Sequence, residues 1–434
     1  MAVDPPGSDV HQRISAVVDA RRDEIVSLLA DLVRFPSVNR RPYGDELACQ
    51  QFVAATLRGM GCDVDVFRPD EIPGIETHPG WWPGSDFTDR PNVVGVRHGT
   101  AGGRSLLLLA HVDVVPEGPH ELWRHGPFNP TIEDGALVGR GSNDDKGGLA
   151  AAIMAVACVE AAGYRPRGDV IAASAVDEES AGANGTLAVL LRPHTADAAV
   201  YCDGLDLDVH TANLGGVNVE IDLQVRPERA GTTIARVMEI VSAFYADLQQ
   251  FTAERRAALA ADPRYAETVW PDYAVRTGFL QVGSEDGGNT GGARIHTSAY
   301  ILPGEDIAGV QAHIEQRLRA VAEGYGDLLP PRIAWVGRIM PPSAIPDDHP
   351  FVDAVAAAYE RATGRAARRR GMPMSDLFQF NLHSPRPMPT VAMGPGRWGE
   401  GGAHQANESV LIDEHLIPFV KTLAGLIVDW CGVE

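Results

Sequence analysis

Apolar positions recur at helical spacing from Val10 to Phe35: Ile14, Val17, Val18, Ile25, Leu28, Leu29 and Leu32 share a face, and Pro36 ends the pattern. The spacing predicts one amphipathic helix there and a second over Asp45 to Met60, closed by Gly61. Cys62 to Phe67 alternates apolar and polar residues, as a half-buried strand does. Glu71 to Arg90 has no period and is rich in Pro, Gly, Trp and Asp, which predicts a surface loop near a site. From Asn92 the texture changes. Asn92–Val96, Ser105–Ala110, Asp169–Val176 and Ala198–Cys202 are short apolar runs, and Lys146 to Ala162 is a long Ala-rich helix. Strands alternating with helices predict an α/β fold whose mainly parallel sheet is covered on both faces.

Near Gly215 the pattern changes again. Val217, Val219, Ile221, Leu223 and Val225 alternate with polar residues, which suits a sheet with one solvated face. A charged helical stretch over Thr232–Ala261, strands at Gly278–Val282 and Arg294–Leu302, and a helix at Ala308–Glu323 complete an α+β insert. After Pro330 and Pro331 the α/β texture returns, with a helix at Pro350–Thr363, a strand at Thr390–Met393 and a last helix from Asp413 to Trp430. The expected organisation is a catalytic domain split over residues 1–212 and 336–434, interrupted by a lid or dimerisation domain over 213–335. A chain of 434 residues is also too long for one ordinary core.

Composition narrows the functional classes. With 58 acidic and 37 basic residues, the net charge of −21 opposes binding to nucleic acid or anionic membrane. The one basic cluster, Arg365 with Arg368, Arg369 and Arg370, reads as a solvated surface run. No apolar run reaches the roughly 18–20 residues of a membrane span, and Met1 to Val10 lacks the basic and apolar regions of a signal peptide. Cysteines 49, 62, 158, 202 and 431 are odd in number and widely spaced, so reduced thiols in a cytoplasmic enzyme are expected.

The chemistry sits just past the strand ends, where open α/β sheets bind ligands. His111 and Asp113 are two apart at the end of an apolar run, so both side chains share a face. The Gly-rich turn Gly139-Arg-Gly-Ser-Asn-Asp144-Asp145-Lys146 presents two carboxylates, the opposite of what a phosphate loop needs. Asp177-Glu178-Glu179 places three adjacent acids after a buried strand, a repulsive arrangement unless cations neutralise it. Asp203 follows another buried strand, and His404 lies in a Gly-rich loop before the last helix. Mixed His and carboxylate donors favour zinc, manganese or cobalt over calcium or magnesium. Two such ions would polarise a carbonyl and acidify a shared water, and a free carboxylate would take its proton.

His111-Val-Asp113, Trp123…Pro127-Phe128, Gly139-Arg-Gly…Asp144…Lys146-Gly147, Asp177-Glu178-Glu179 and His404…Asn407-Glu408 occur together and in this order. In these motifs, from about residue 12 to the C-terminus, the chain resembles the M20 family of metallopeptidases and deacylases, which includes acetylornithine deacetylase, succinyl-diaminopimelate desuccinylase, aminoacylase-1 and bacterial glutamate carboxypeptidase. The resemblance implies that Asp144 bridges two divalent metals, usually with a cis peptide to the next residue. It implies that His111 and Asp203 complete one site and Glu179 and His404 the other. Glu178 would be the general base and then acid, and Asp113 would orient His111. A homodimer or higher homo-oligomer formed through the lid is also implied.

The lid departs from the family pattern. The segment Val225-Arg-Pro-Glu-Arg-Ala-Gly231 has no histidine where many members carry one, and Thr297-Ser-Ala-Tyr-Ile-Leu-Pro303 replaces the usual Asp-x-Arg strand. Asn289, Arg294 and His296 are the candidate substrate-binding substitutes, or ordinary lid residues. The expected activity is hydrolysis of an amide C–N bond in an N-acyl amino acid or small peptide, using two zinc ions with cobalt or manganese as alternatives. A non-peptide or aryl-amine amide is the second reading, and a catalytically silent metal-binding protein the third.

Overall fold

The computed structural model describes residues 8–226, 233–283 and 291–434. They form two compact units: residues 1–211, 345–369 and 375–434, and residues 212–344 with 370–374.

The first unit is built on a sheet with a parallel centre. Val170–Ala175, Leu106–His111, Ala198–Tyr201 and Thr390–Ala392 lie side by side, all parallel. Leu106–His111 is buried along its whole length, as the continuous apolar run requires when both faces are covered. The flanks are antiparallel. Asn92–Arg97 pairs Val170–Ala175 and Asp63–Phe67 on one side, and His210 pairs Ala392 on the other. No helical crossover separates Asp63–Phe67 from Asn92–Arg97, and a parallel pair would need one.

Helices Ser8–Ala20, Arg22–Val33, Leu47–Gly59, Lys146–Ala161, Pro350–Thr363 and Ile417–Cys431 contribute to one core, and Asn184–Leu191 packs against Leu377–His383. The first helical pattern is therefore two helices. It breaks at Arg21, whose backbone leaves the helical region (φ −101°, ψ 14°) while Ile14, Val18, Ile25 and Leu29 stay on the buried face. Residues 71–90 run over the surface, with most of them exposed, but are anchored by the buried Ile75, Phe87 and Arg90 and contain one 3₁₀ turn, Ile75–Thr77. The arginine run is solvated and paired: Arg368 bonds Asp208, Arg369 bonds Asp353, and Arg370 pairs with Glu267. All five cysteines are free thiols, four of them buried.

In the second unit a four-stranded antiparallel sheet runs in the order Val275–Gly283, Gly291–Ile301, Gly215–Val225, Arg332–Met340. Arg332–Met340 pairs with Gly215–Val225, so the chain leaves this unit at Ile345, beyond the proline pair that marked the change of texture. Val217, Val219, Ile221 and Leu223 face a core closed by helices Thr233–Ala261 and Ile307–Glu323. The alternate residues form a polar face.

Candidate metal centre

Three strand ends and two turns of the first unit converge. His111 ends Leu106–His111, Asp203 follows Ala198–Tyr201, and Glu178 and Glu179 follow Val170–Ala175. A three-stranded sheet of Thr131–Glu133, Ala136–Val138 and Ser409–Leu411 brings in the rest. It fastens the turn carrying Asp144 to the loop carrying His404, with Gly139 N donating to Glu408 O at 2.8 Å.

Donor atoms of His111, Asp144 and Asp203 all lie within 4.8 Å of one another, and so do those of Asp144, Glu179 and His404. Asp144 belongs to both groups. Its Oδ1 is 2.9 Å from His111 Nε2, and its Oδ2 is 3.3 Å from His404 Nε2. His404 Nε2 is also 2.8 Å from Glu179 Oε2. His111 is buried, whereas the His404 side chain is 55% exposed, so the second group is the one open to solvent. The Asp144–Asp145 peptide is cis.

The electrostatics describe a site where bound cations would relieve buried negative charge. Burial pushes the Asp203 carboxyl up to about 7, with the negative Asp144 adding to it. Burial raises Glu178 well above the ordinary range, and Asp376, Glu179 and Asp144 add to this against the opposing His111. Glu179 is raised by the same burial and by Asp144. Burial disfavours the imidazolium of His404, yet Glu179 and Asp144 outweigh it and lift the group to about 11. Two divalent ions would bring four positive charges to meet Asp144, Glu178, Glu179 and Asp203. The donor set of imidazole and carboxylate fits such ions, and a shared carboxylate fits a pair of them.

The backbone of the centre is held by two further acids. Asp113 does not meet His111 through its carboxylate, which is 3.8 Å from Nδ1; its carbonyl oxygen accepts at 3.0 Å instead. The carboxylate takes the N–H groups of Glu178 (3.3 Å) and Glu179 (3.1 Å), and Asn39 Nδ2 donates to it at 2.8 Å. Glu408 does the same for the Asp144 turn. Its Oε1 accepts from the N–H groups of Gly141 (2.9 Å), Asn143 (3.0 Å) and Asp144 (3.1 Å), while Oε2 pairs with Arg140. Gly141 is required here. Its φ is +86°, and a Cβ would lie 2.8 Å from Val114 Cγ1.

Pattern reading quoted Glu408 and Arg140 within their motifs without giving either a role. It missed Asp376, which is buried, accepts from Thr186 Oγ1 at 2.5 Å and adds its charge to the centre. Asp376 lies four residues past the short strand Arg369–Met372 and precedes a helix of seven residues, Leu377–His383, and no long period announced either element. In the second unit, Arg294 Nε donates to Asp222 Oδ1 at 2.8 Å and lies 3.5 Å from Glu220 Oε1. His296 is registered opposite Glu220 on the same face. Asn289 and the loop over 227–231 lie outside the described residues.

Comparisons with known proteins agree with this geometry. A family model described as peptidase family M20/M25/M40 matches residues 107–429. The N-formyl-4-amino-5-aminomethyl-2-methylpyrimidine deformylase of Bacillus subtilis (strain 168) is 26% identical over 441 aligned positions, spanning 96% of each chain. Human carnosine dipeptidase 1 superposes with a TM-score of 0.72 at 16% identity, covering 98% of this chain and 99% of its own. The Bacillus subtilis protein YXEP, described as a dinuclear metal-binding peptidase, superposes with a TM-score of 0.60 at 18% identity, covering 94% and 98%.

Proposed function

The chain belongs to peptidase family M20/M25/M40 and is a hydrolase of C–N bonds, and from that premise we propose that it cleaves an amide with two metal ions and Glu178 as the proton carrier. The observation that carries this is the sharing of Asp144 between the His111–Asp203 group and the Glu179–His404 group. Zinc is the proposed ion, with cobalt or manganese able to substitute. Bound there, the ions would polarise the scissile carbonyl and lower the pKa of an attacking water. Glu178 has its Oε2 4.0 Å from His111 Nε2, beside the metal donors. From that position its carboxylate takes a proton from the water and returns it to the departing amine. The raised proton affinity of Glu178, caused first by burial, favours its holding a proton for return to the departing amine.

The substrate we favour is a small N-acyl amine, with N-acyl amino acids and dipeptides as the first class to try. The specific case for a non-peptide amide is twofold. Two relatives that span nearly the whole chain are deformylases of an aminomethylpyrimidine, and Arg294, on the altered strand itself, already has a carboxylate partner in Asp222. A homodimer is proposed through the second unit. Among the described residues its strand Val275–Gly283 ends the sheet at one edge and exposes Phe279 and Leu280, while Ile234, Met238 and Tyr245 are exposed on helix Thr233–Ala261. Free, mostly buried thiols suit a cytoplasmic setting. Among the described residues no helix is long and apolar enough to cross a membrane.

The test is Glu178→Gln with metal content measured on the same sample. Turnover should fall by about 10²–10⁴-fold while two metals per chain are retained; a variant that keeps wild-type turnover sinks the assignment. A panel of N-acetylornithine, succinyl-diaminopimelate, hippurate, dipeptides and N-formyl aminomethylpyrimidine separates the substrate classes.

A further inference from the structure

Arg90 is a guanidinium with no exposure at all. Its Nε lies 2.9 Å from Glu46 Oε2 and its Nη2 2.8 Å from Glu46 Oε1, while Nη1 donates to the carbonyls of Pro42 (3.3 Å) and Asp86 (3.4 Å). Nη2 is also 3.5 Å from Oδ1 of Asp177, the residue immediately before Glu178. One buried cation thus serves two buried carboxylates, and the second of them adjoins the proton carrier.

Asp177 is the hub of the turn that carries Glu178 and Glu179. Its carboxylate accepts from Ser85 Oγ (2.9 Å), Ser180 Oγ (3.1 Å) and Asn184 Nδ2 (2.9 Å), and its carbonyl accepts from Ala183 N at 2.7 Å. The chain wraps so closely that a Cβ on Gly182 would lie 2.1 Å from Asp177 Oδ2. Three non-glycine residues of this short turn sit in the left-handed region: Asp177 (φ 71°), Ala181 (57°) and Ala183 (51°). Such backbone persists only where its surroundings over-determine it. Here they do so from two sides: Asp113 holds the N–H groups of Glu178 and Glu179, and Asp177 gathers the turn behind them. Ser85 and Arg90 both come from the irregular segment before Asn92, and Asn184 ties that segment down by exchanging hydrogen bonds with the Trp82 backbone at 2.8 Å each.

We propose that Arg90 and Asp177 are a positioning pair that aims Glu178, with the 82–90 segment serving as the brace. Neither touches the reacting atoms; they act through the turn. The inference rests on the reading of Glu178 as the proton carrier.

Asp177→Asn keeps the shape of the hub and removes the charge that faces Arg90. At saturating added zinc, kcat should fall roughly 10–100-fold with KM within about twofold, since misplacement of a reacting group by about 1 Å has effects of this size. Arg90→Lys, which keeps the charge and loses the fork, should retain more kcat than Arg90→Met. Wild-type kcat in folded, metal-loaded Asp177→Asn would overturn the proposal. So would a loss matching only the fraction of chains unfolded, because that marks a purely structural role. If Asp177→Asn does not fold, Ser85→Ala carries the test: kcat should drop roughly threefold or more with the melting temperature little changed, and an unchanged kcat overturns the idea. Active Glu178→Gln would instead sink the underlying reading. Inactive Glu178→Gln beside fully active Asp177→Asn would sink the inference alone.

Discussion

Charged groups are arranged differently in the two units. In the first, Asp144, Glu178, Glu179 and Asp203 converge, and among the described residues His111 and His404 lie within the cluster to carry positive charge, while burial drives several of these acids toward neutrality. In the second, charges come already matched. Arg294 bonds Asp222, Arg236 bonds Asp327, Arg255 bonds Glu305, and Arg317 bonds Asp247. Like charges gathered in a protein interior are relieved by proton uptake or by bound cations, whereas a matched pair is complete in itself. The cluster in the first unit is therefore a candidate cation site, and the pairs of the second unit are complete without a ligand.

The contrast is tested hardest at Glu408, which belongs to one of the first unit's matched pairs and adjoins the cluster. Glu408 pairs with Arg140, and both side chains are almost wholly buried. Glu408→Gln would turn an amide toward a buried guanidinium, and breaking a buried pair costs about 3–5 kcal/mol. Because Glu408 also holds the Asp144 N–H, metal should be lost along with stability. Chemical denaturation and metal analysis of one preparation check this. Stability lost with metal fully retained would mean that the small sheet, and not Glu408, sets the Asp144 turn.

Proton–metal competition is the next largest effect. Asp203, raised to about 7, and His404, raised to about 11, must both shed a proton before they can ligate. Each proton displaced costs about tenfold in affinity per pH unit. Metal affinity should therefore fall as pH falls through neutrality, and more steeply below about 7, where Asp203 joins in. Stability of the metal-free chain moves the other way. Both folded groups bind protons more tightly than their unfolded counterparts, so their contribution is greatest at low pH. It fades as pH rises through about 7 for Asp203 and about 11 for His404. Competition titrations and melting of chelated protein across about pH 5–8 would read both trends, and an affinity flat with pH would contradict the site.

The same contrast explains what could be read from the sequence. The candidate donors His111, Glu179 and Asp203 were legible because a buried strand is a continuous apolar run and the polar residues past its end stand out. The parallel centre followed from the same runs. The clamps were not legible. Asp113 and Glu408 act through backbone N–H groups of distant turns, and Arg90 reaches Glu46 across 44 residues of chain. Nor was the strand Arg332–Met340, whose partly exposed residues mark an edge with little alternation and follow two prolines.

The smallest predicted effect is the most pointed. Arg294 is a candidate for binding substrate because a basic residue on this strand could replace the arginine of the family pattern that this chain lacks. Its guanidinium is 38% exposed and lies between Asp222 and Glu220, both on the neighbouring strand. An exposed pair of this kind contributes about 0–1 kcal/mol, so Arg294→Ala should shift the denaturation midpoint little and leave kcat unchanged. If Arg294 serves only the sheet, KM should also hold for every substrate in the panel. If a substrate carboxylate displaces Asp222 from it, KM should rise for carboxylate-bearing substrates and stay constant for neutral amides. That second outcome would break the contrast between the units, because it would make a self-matched charge of the lid into a recognition group. Steady-state kinetics on hippurate beside a neutral N-formyl amine decides between them.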